Sequence, residues 1–170
     1  MDNLVLIGMP GVGKSTVGVI LAKVLGYQFL DSDLEIQRQE GMLLCEIIEK
    51  KGADGFLAVE NRVNASLDVH RTVIATGGSV VYGKEAMEHL ASIGKIVYLK
   101  VSYDILQKRL HDIKGRGVVT KEGQTLADLY KERTPLYEHY ADLVVCEDGK
   151  NIEQTLEMTM QVLKTASSHL

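Results

Sequence analysis

Apolar positions along the chain fall into short unbroken runs separated by longer stretches at helical spacing. Leu4 to Ile7 is an unbroken run, the pattern of a central parallel strand covered on both faces. Lys14 to Leu25 places Val17, Ile20, Leu21, Val24 and Leu25 on one helical face, and Gly26 stops it. Gln28 to Leu30 predicts a second strand ending at Asp31. Leu34 to Gln39 and Met42 to Glu49 predict two helices, with Gly41 and Gly52 as breaks, and Phe56 to Asp68 predicts another. Arg71 to Thr76 predicts a third strand closed by Gly77-Gly78. Glu85 to Ser92 reads as helix and Lys95 to Val101 as a fourth strand. Ser102 then caps a helix running to about Ile113. Gly115 to Gly123 is charged, rich in glycine and without apolar periodicity, which predicts a loop. Leu126 to Tyr140 is helical, Leu143 to Cys146 a fifth strand, and Ile152 to Leu163 a closing helix.

This alternation predicts an α/β fold with a parallel sheet and helices on both faces. In such sheets a ligand sits beyond the carboxyl ends of the strands. No repeat, low-complexity segment or linker divides the 170 residues, so a single domain is expected. No apolar run approaches the roughly 18 residues of a membrane helix. The stretch Asn3 to Gly8 is short and lacks a basic leader, so it reads as a strand and not as a signal peptide, and a cytoplasmic location is expected. A formal net charge of -4 without a basic run speaks against nucleic-acid binding. Cys45 and Cys146 read as free thiols with a packing role, since free cysteine is usually buried.

The chemistry begins at the end of the first strand. Gly8-Met9-Pro10-Gly11-Val12-Gly13-Lys14-Ser15 has the full spacing of a Walker A loop, between the strand and helix that it requires. Its glycines, Gly11 and Gly13 among them, let several backbone N–H groups turn into one cavity. With Val12 and Thr16 they predict a cradle for ATP phosphates at a helix N-terminus. Lys14 would reach the outer phosphates and Ser15 would ligate magnesium. A guanine-reading Asn-Lys-x-Asp segment is absent, which favours adenine and a small-molecule kinase over a regulatory GTPase.

Candidate acceptor residues lie at the next two strand ends. Asp31-Ser32-Asp33 offers two carboxylates that could divide magnesium binding and polarisation of a hydroxyl; an Asx turn or helix cap is the alternative. Gly77-Gly78 suits close approach of a ligand to backbone, or a plain turn. Arg116, in the glycine-bearing loop, could close over phosphates. Arg109 could stack on a base or cap its helix. Arg133, before Thr134-Pro135-Leu136-Tyr137, could grip an anion with its planar fork.

Together these residues resemble the shikimate kinase family of P-loop folds, from Leu4 to about Cys146. The resemblance implies a three-layer α/β/α P-loop kinase domain over residues 1–170, with a five-stranded parallel sheet in the order 2-3-1-4-5. It also implies a substrate-binding helical segment at about 33–62 and a lid loop at about 113–124. Catalytic roles would fall on Lys14, Asp33 as base, and Arg116 in the lid. Nucleotide contacts would fall on Gly11 to Thr16 and Arg109. The acceptor would meet Asp33, Gly77, Gly78, Ser79 and Arg133, and Mg2+ would meet Ser15 and Asp31. The expected reaction is phosphorylation of shikimate to shikimate 3-phosphate by ATP, in a monomer acting on a small hydroxylated molecule without nucleic acid or membrane.

Three positions depart from the family pattern. Leu57, in Phe56-Leu57-Ala58-Val59-Glu60, stands where the family has an arginine that shares the substrate carboxylate. Ser79 replaces the last residue of a triple glycine. The lid reads Arg116-Gly117-Val118-Val119, without the proline that often follows its arginine. An apolar side chain cannot donate to a carboxylate, and losing such a partner costs about 2 to 5 kcal/mol. Of the nearby donors, Arg62 stands five positions along the same helix and points elsewhere, Asn61 shares the face of Leu57 but carries no charge, and Arg38 could reach in from the preceding helix. The alternatives are a kinase of another polyol or hydroxy acid, a nucleoside monophosphate kinase, and a nucleotide-binding protein without catalysis.

Overall fold

The computed structural model describes residues 2–110, 118 and 120–167. Five parallel strands, β1 (Asn3–Ile7), β2 (Gln28–Asp31), β3 (Thr72–Ala75), β4 (Gly94–Lys100) and β5 (Leu143–Cys146), form one sheet in the order β2-β3-β1-β4-β5. This is the order expected. β1 lies at the centre because every residue in it is buried, which only a strand covered on both faces can sustain. Its one polar residue, Asn3, is fully paired. The Asn3 amide donates to the carbonyls of Val69 and Ile93, and its oxygen accepts from the Thr72 amide. One side chain thus fixes where β1, β3 and β4 begin.

The helices are α1 (Lys14–Leu25), α2 (Ser32–Glu40), α3 (Leu44–Ala65), α4 (Lys84–Ile93), α5 (Tyr103–Arg109), α6 (Leu126–Tyr140) and α7 (Ile152–Ser167). They complete an α/β/α sandwich, with α1 against α7 and α3 against α4. α3 is two helical stretches meeting at a kink, since Gly52, the predicted break, takes a non-helical φ 71, ψ 178. It ends at Ala65 and not at Asp68, because the Ser66 amide and hydroxyl both turn back to the Val63 carbonyl. α5 stops at Arg109, short of the expected Ile113, which lies outside the described residues. A 3-10 turn at Val80–Tyr82 follows the Gly77-Gly78 bend and has no apolar period by which sequence could have announced it.

The main core lies between the sheet and its helices. A second, smaller core of Ile36, Ile47, Phe56, Val59 and Val63 joins α2 to α3. It holds the expected substrate-binding segment as a packed unit of its own, beside the carboxyl ends of β2 and β3. Cys45 and Cys146 are free, as expected, but both are exposed and do not pack inside the protein. Among the described residues no helix is long and apolar enough to cross a membrane.

Candidate active site

Gly13 adopts the left-handed conformation at the N-cap of α1 (φ 98, ψ 19) and, as glycine, caps no amide with a side chain. The first-turn N–H groups of α1 are therefore left to a ligand, and the helix dipole favours an anion there. Lys14 is buried, and its Nζ donates to the carbonyls of Gly8 and Met9 at 2.8 and 2.9 Å. Burial lowers its pKa to about 8, against the pull of Asp33. Val12 turns its side chain into the core and so meets the site through backbone alone, while Ser15 and Thr16 stay exposed at the mouth.

Asp31 does both things that its sequence allowed. Its Oδ1 accepts from the amides of Asp33 and Leu34, which caps α2, while its Oδ2 accepts from Ser15 Oγ at 2.8 Å. The cap starts a helix whose first turn holds Asp33. The Asp33 carboxyl is half-buried beside Lys14, and burial, reinforced by Asp31, raises its pKa to about 6.

The end of β3 brings the acceptor side together. A Cβ on Gly77 would lie 2.5 Å from Glu60 Oε1 and 2.8 Å from Asp33 Oδ1, so only glycine lets these carboxyl groups approach the backbone. A Cβ on Gly78 would meet Pro10 of the phosphate loop at 2.8 Å and Arg133 Nη1 at 3.1 Å. Lys14, Asp33, Glu60, Ser79 and Arg133 line one cavity of about 280 Å³ beside the loop. Ser79 is buried, and its Oγ donates to Glu60 Oε2 at 2.6 Å.

Arg133 is only 1% exposed although it carries a full charge. Its guanidinium lies over the Tyr82 ring, 5.4 Å from the centroid, and its Nε donates to the Tyr82 hydroxyl at 3.4 Å. That hydroxyl donates in turn to Glu132 Oε1 at 2.5 Å. One turn further along α6, Tyr137 donates to the Gly78 carbonyl at 2.6 Å. Position 57 brings no charge to the site: Leu57 packs against the small core of α2 and α3. The nearby candidates do not replace it. Arg38 points outward onto Glu35, Arg62 pairs with Glu40, and Asn61 holds Glu85 and the Ala86 amide.

Arg109 borders a second cavity on the far side of the phosphate loop, shared with Thr16, Lys150 and Asn151. Its Nη1 donates to the Val12 carbonyl at 3.4 Å and to Glu147 Oε2 at 3.2 Å. Glu147 is buried, which raises its pKa against the opposing pull of Arg109. Arg116 and half of the expected lid, 113–117 and 119, lie outside the described residues. Glu60, Tyr82 and Glu147 were not among the sequence-predicted site residues. Glu60 had a signal, since it stands four positions after Phe56 and so on the same face of α3. Tyr82 and Glu147 had none, because only the folded chain brings them to Arg133 and Arg109.

A family model described as shikimate kinase matches residues 10–164. A shikimate kinase of Methylococcus capsulatus is 42% identical over 146 residues, covering 84% of this chain and 82% of the relative. One of Acinetobacter baylyi is 36% identical, covering 99% and 96%. Among solved structures, the shikimate kinase of Acinetobacter baumannii in complex with shikimate superposes with a TM-score of 0.84 at 34% identity, covering 99% of this chain and 94% of that one.

Proposed function

Since the chain belongs to the shikimate kinase family, we propose that it transfers a phosphoryl group from ATP to a ring hydroxyl of shikimate with the residues assembled around the phosphate loop. One observation carries this reading: the buried Lys14, the Asp33 carboxyl and the buried Arg133 line a single cavity. A donor phosphate, a base and an anion grip are thereby within one small molecule's reach.

In this reading the N–H groups at the start of α1 bind the ATP phosphates. Lys14 releases the Gly8 and Met9 carbonyls to reach the outer ones. Asp33 accepts the proton of the attacking hydroxyl. Arg133 holds the acceptor carboxylate, its fork kept in place by Tyr82. Arg109 borders the adenine cavity. The Ser15 hydroxyl and the Asp31 carboxylate meet at 2.8 Å and suit Mg2+, a hard ion that takes one or two protein oxygens and leaves its other positions to phosphate and water. When bound, Mg2+ neutralises charge on the phosphate oxygens.

We also take the protein to act as a single kinase domain, since one sheet carries both cavities, and as a monomer in the cytoplasm. The test is ADP release with Mg2+ and ATP across shikimate, quinate, gluconate, homoserine and nucleoside monophosphates. Turnover with shikimate at ordinary enzyme rates is expected, with no other acceptor approaching its kcat/KM. Preference for a different polyol would move the reading to another acceptor, and Leu57 would then be part of the reason.

A further inference from the structure

Consecutive residues of a helix leave it about 100° apart. Glu132 and Arg133 of α6 therefore point in different directions, and the Tyr82 hydroxyl lies between them. It donates to Glu132 Oε1 at 2.5 Å and accepts from Arg133 Nε at 3.4 Å, while the Tyr82 ring carries the guanidinium over its face at 5.4 Å. Tyr82 comes from the 3-10 turn after β3, so these contacts join that turn to α6. The other oxygen of Glu132 is engaged as well. Oε2 accepts from Gln124 Nε2 at 3.2 Å and lies 3.9 Å from Lys121 Nζ. Lys121 to Gln124 is a turn closed by its own backbone, with the Gln124 amide donating to the Lys121 carbonyl and the Lys121 amide to Gln124 Oε1. Glu132 is thus held from the turn that leads into its own helix.

A hydroxyl has one proton to donate. Here it goes to Glu132, and lone pairs face Arg133. Burial and the bond to Glu132 raise the Tyr82 pKa against the pull of Arg133, so the hydroxyl keeps that proton. Its oxygen is then a fixed acceptor for Nε, and an anchored Nε together with the ring below sets the plane of the guanidinium. Nη1 lies 3.1 Å from where a Cβ on Gly78 would stand, and Arg133 lines the acceptor cavity. A planar fork oriented in advance loses less freedom when it meets a carboxylate.

We propose that Glu132 and Tyr82 are positioning residues for the carboxylate grip. Glu132 takes the Tyr82 proton, Tyr82 thereby holds Arg133 by Nε, and the fork meets the acceptor already oriented. Neither Tyr82 nor Glu132 lines the cavity; both act through Arg133. Leu57 makes the orientation matter more, because no arginine stands at that position to share the carboxylate. The proposal rests on the reading of shikimate as acceptor, since it needs an acceptor that carries a carboxylate. Tyr137 also faces Arg133, so losing the Tyr82 contact loosens the fork without releasing it.

The test is KM for shikimate and for ATP, each at saturating levels of the other, in the unaltered enzyme, Tyr82→Phe, Glu132→Ala and the two combined. Tyr82→Phe keeps the ring over Arg133 and removes only the hydroxyl. KM for shikimate should rise about three- to tenfold, the effect of one long hydrogen bond lost, with kcat and KM for ATP within about twofold. Glu132→Ala should raise KM for shikimate about two- to fivefold, since the Tyr82 oxygen remains but its proton is no longer directed. Because Glu132 acts through that hydroxyl, the combined variant should match Tyr82→Phe and not the product of the two effects. An acceptor with hydrogen in place of the carboxylate supplies the second readout, and its kcat/KM should differ by less than about twofold among the four proteins. Effects that multiply in the combined variant, an equal loss with the acceptor that lacks the carboxylate, or an unchanged KM for shikimate in either single variant overturns the proposal and leaves the shikimate reading intact. Absence of shikimate turnover in the unaltered enzyme overturns both.

Discussion

Asp33 is asked to take a proton from a hydroxyl, and a carboxylate of ordinary strength is a weak base for that work. The fold strengthens it by removing water and by setting Asp31 two residues away, which raises its pKa to about 6. The working form is the ionised one. Shikimate kcat/KM should therefore fall about tenfold per pH unit below 6, and Asp33→Asn should lower kcat at least about a hundredfold while ATP binding, read by fluorescence or calorimetry, is retained. The same shift has a thermodynamic consequence of opposite sense. With the folded-state value above the unfolded one, an ionised Asp33 opposes folding at pH 8, and the opposition fades as pH falls from 6 to below 4. Asparagine should thus raise stability at pH 8 by about 1–2 kcal/mol, discounted from the ~1.4 kcal/mol per pKa unit because Asp33 opens onto the cavity. That gain should shrink towards pH 4 in thermal melts. Equal stability of the two proteins at pH 8 would mean that Asp33 is not strained in the empty site. Asp33 was legible in the sequence because its spacing to the phosphate loop is local. Its raised pKa was not, since that depends on what α3 and β3 bring over it.

The helices of the acceptor side explain both what the sequence disclosed and what it withheld. α1 and α6 keep the bounds that their apolar spacing predicts, and Gly26 ends α1 in a left-handed turn, but Val24, expected on the apolar face of α1, is 62% exposed, and Gly18 and Ala22 are buried beside Val17 and Leu21. In α3 the predicted break at Gly52 is the kink itself, and residues on both sides of it, Ile47 before and Phe56 after, belong to the same small core. Leu57 belongs to this element. Its side chain is half-buried against the small core, so the departure at this position is a packing residue in place of a charge. Leu57→Arg would exchange apolar burial worth about 1 kcal/mol for a guanidinium on a flexible stem that can extend towards the cavity. The expected outcome is a slightly lower melting temperature together with a KM for shikimate reduced about tenfold and little change in kcat, because the added contact is uniform binding. A KM that is unchanged would show that Arg133, clamped by Tyr82, already saturates the carboxylate.

At the scale of the whole molecule, β1 divides the site. The phosphate loop rises from this central strand. On one side β3 and β2 deliver Gly77, Gly78, Asp31 and Asp33, and α3 and α6 add Glu60 and Arg133. On the other, α5 and the end of β5 deliver Arg109 and Glu147 to the second cavity. The order of the strands was an expectation from family likeness, not from periodicity, because alternating strands and helices fix a parallel sheet but not which strand lies next to which. That order is what makes the two halves separable by mutation. The Arg109–Glu147 pair reaches from the end of α5 to the end of β5, and among the described residues the hydrogen bonds of the Arg109 side chain go to Glu147 and the Val12 carbonyl. Glu147→Gln keeps the shape and removes the charge, so Arg109 loses the anion that orients it, while its contact with the Val12 carbonyl remains. KM for ATP should rise about three- to tenfold, the effect of losing one charged partner at a partly exposed arginine, whereas KM for shikimate stays within about twofold of its value in the unaltered enzyme. Parallel initial-rate series with each substrate varied at saturating levels of the other read the two constants separately. A comparable rise in both would mean that the phosphate loop transmits strain from β5 to β3, and the division at β1 would have to be abandoned.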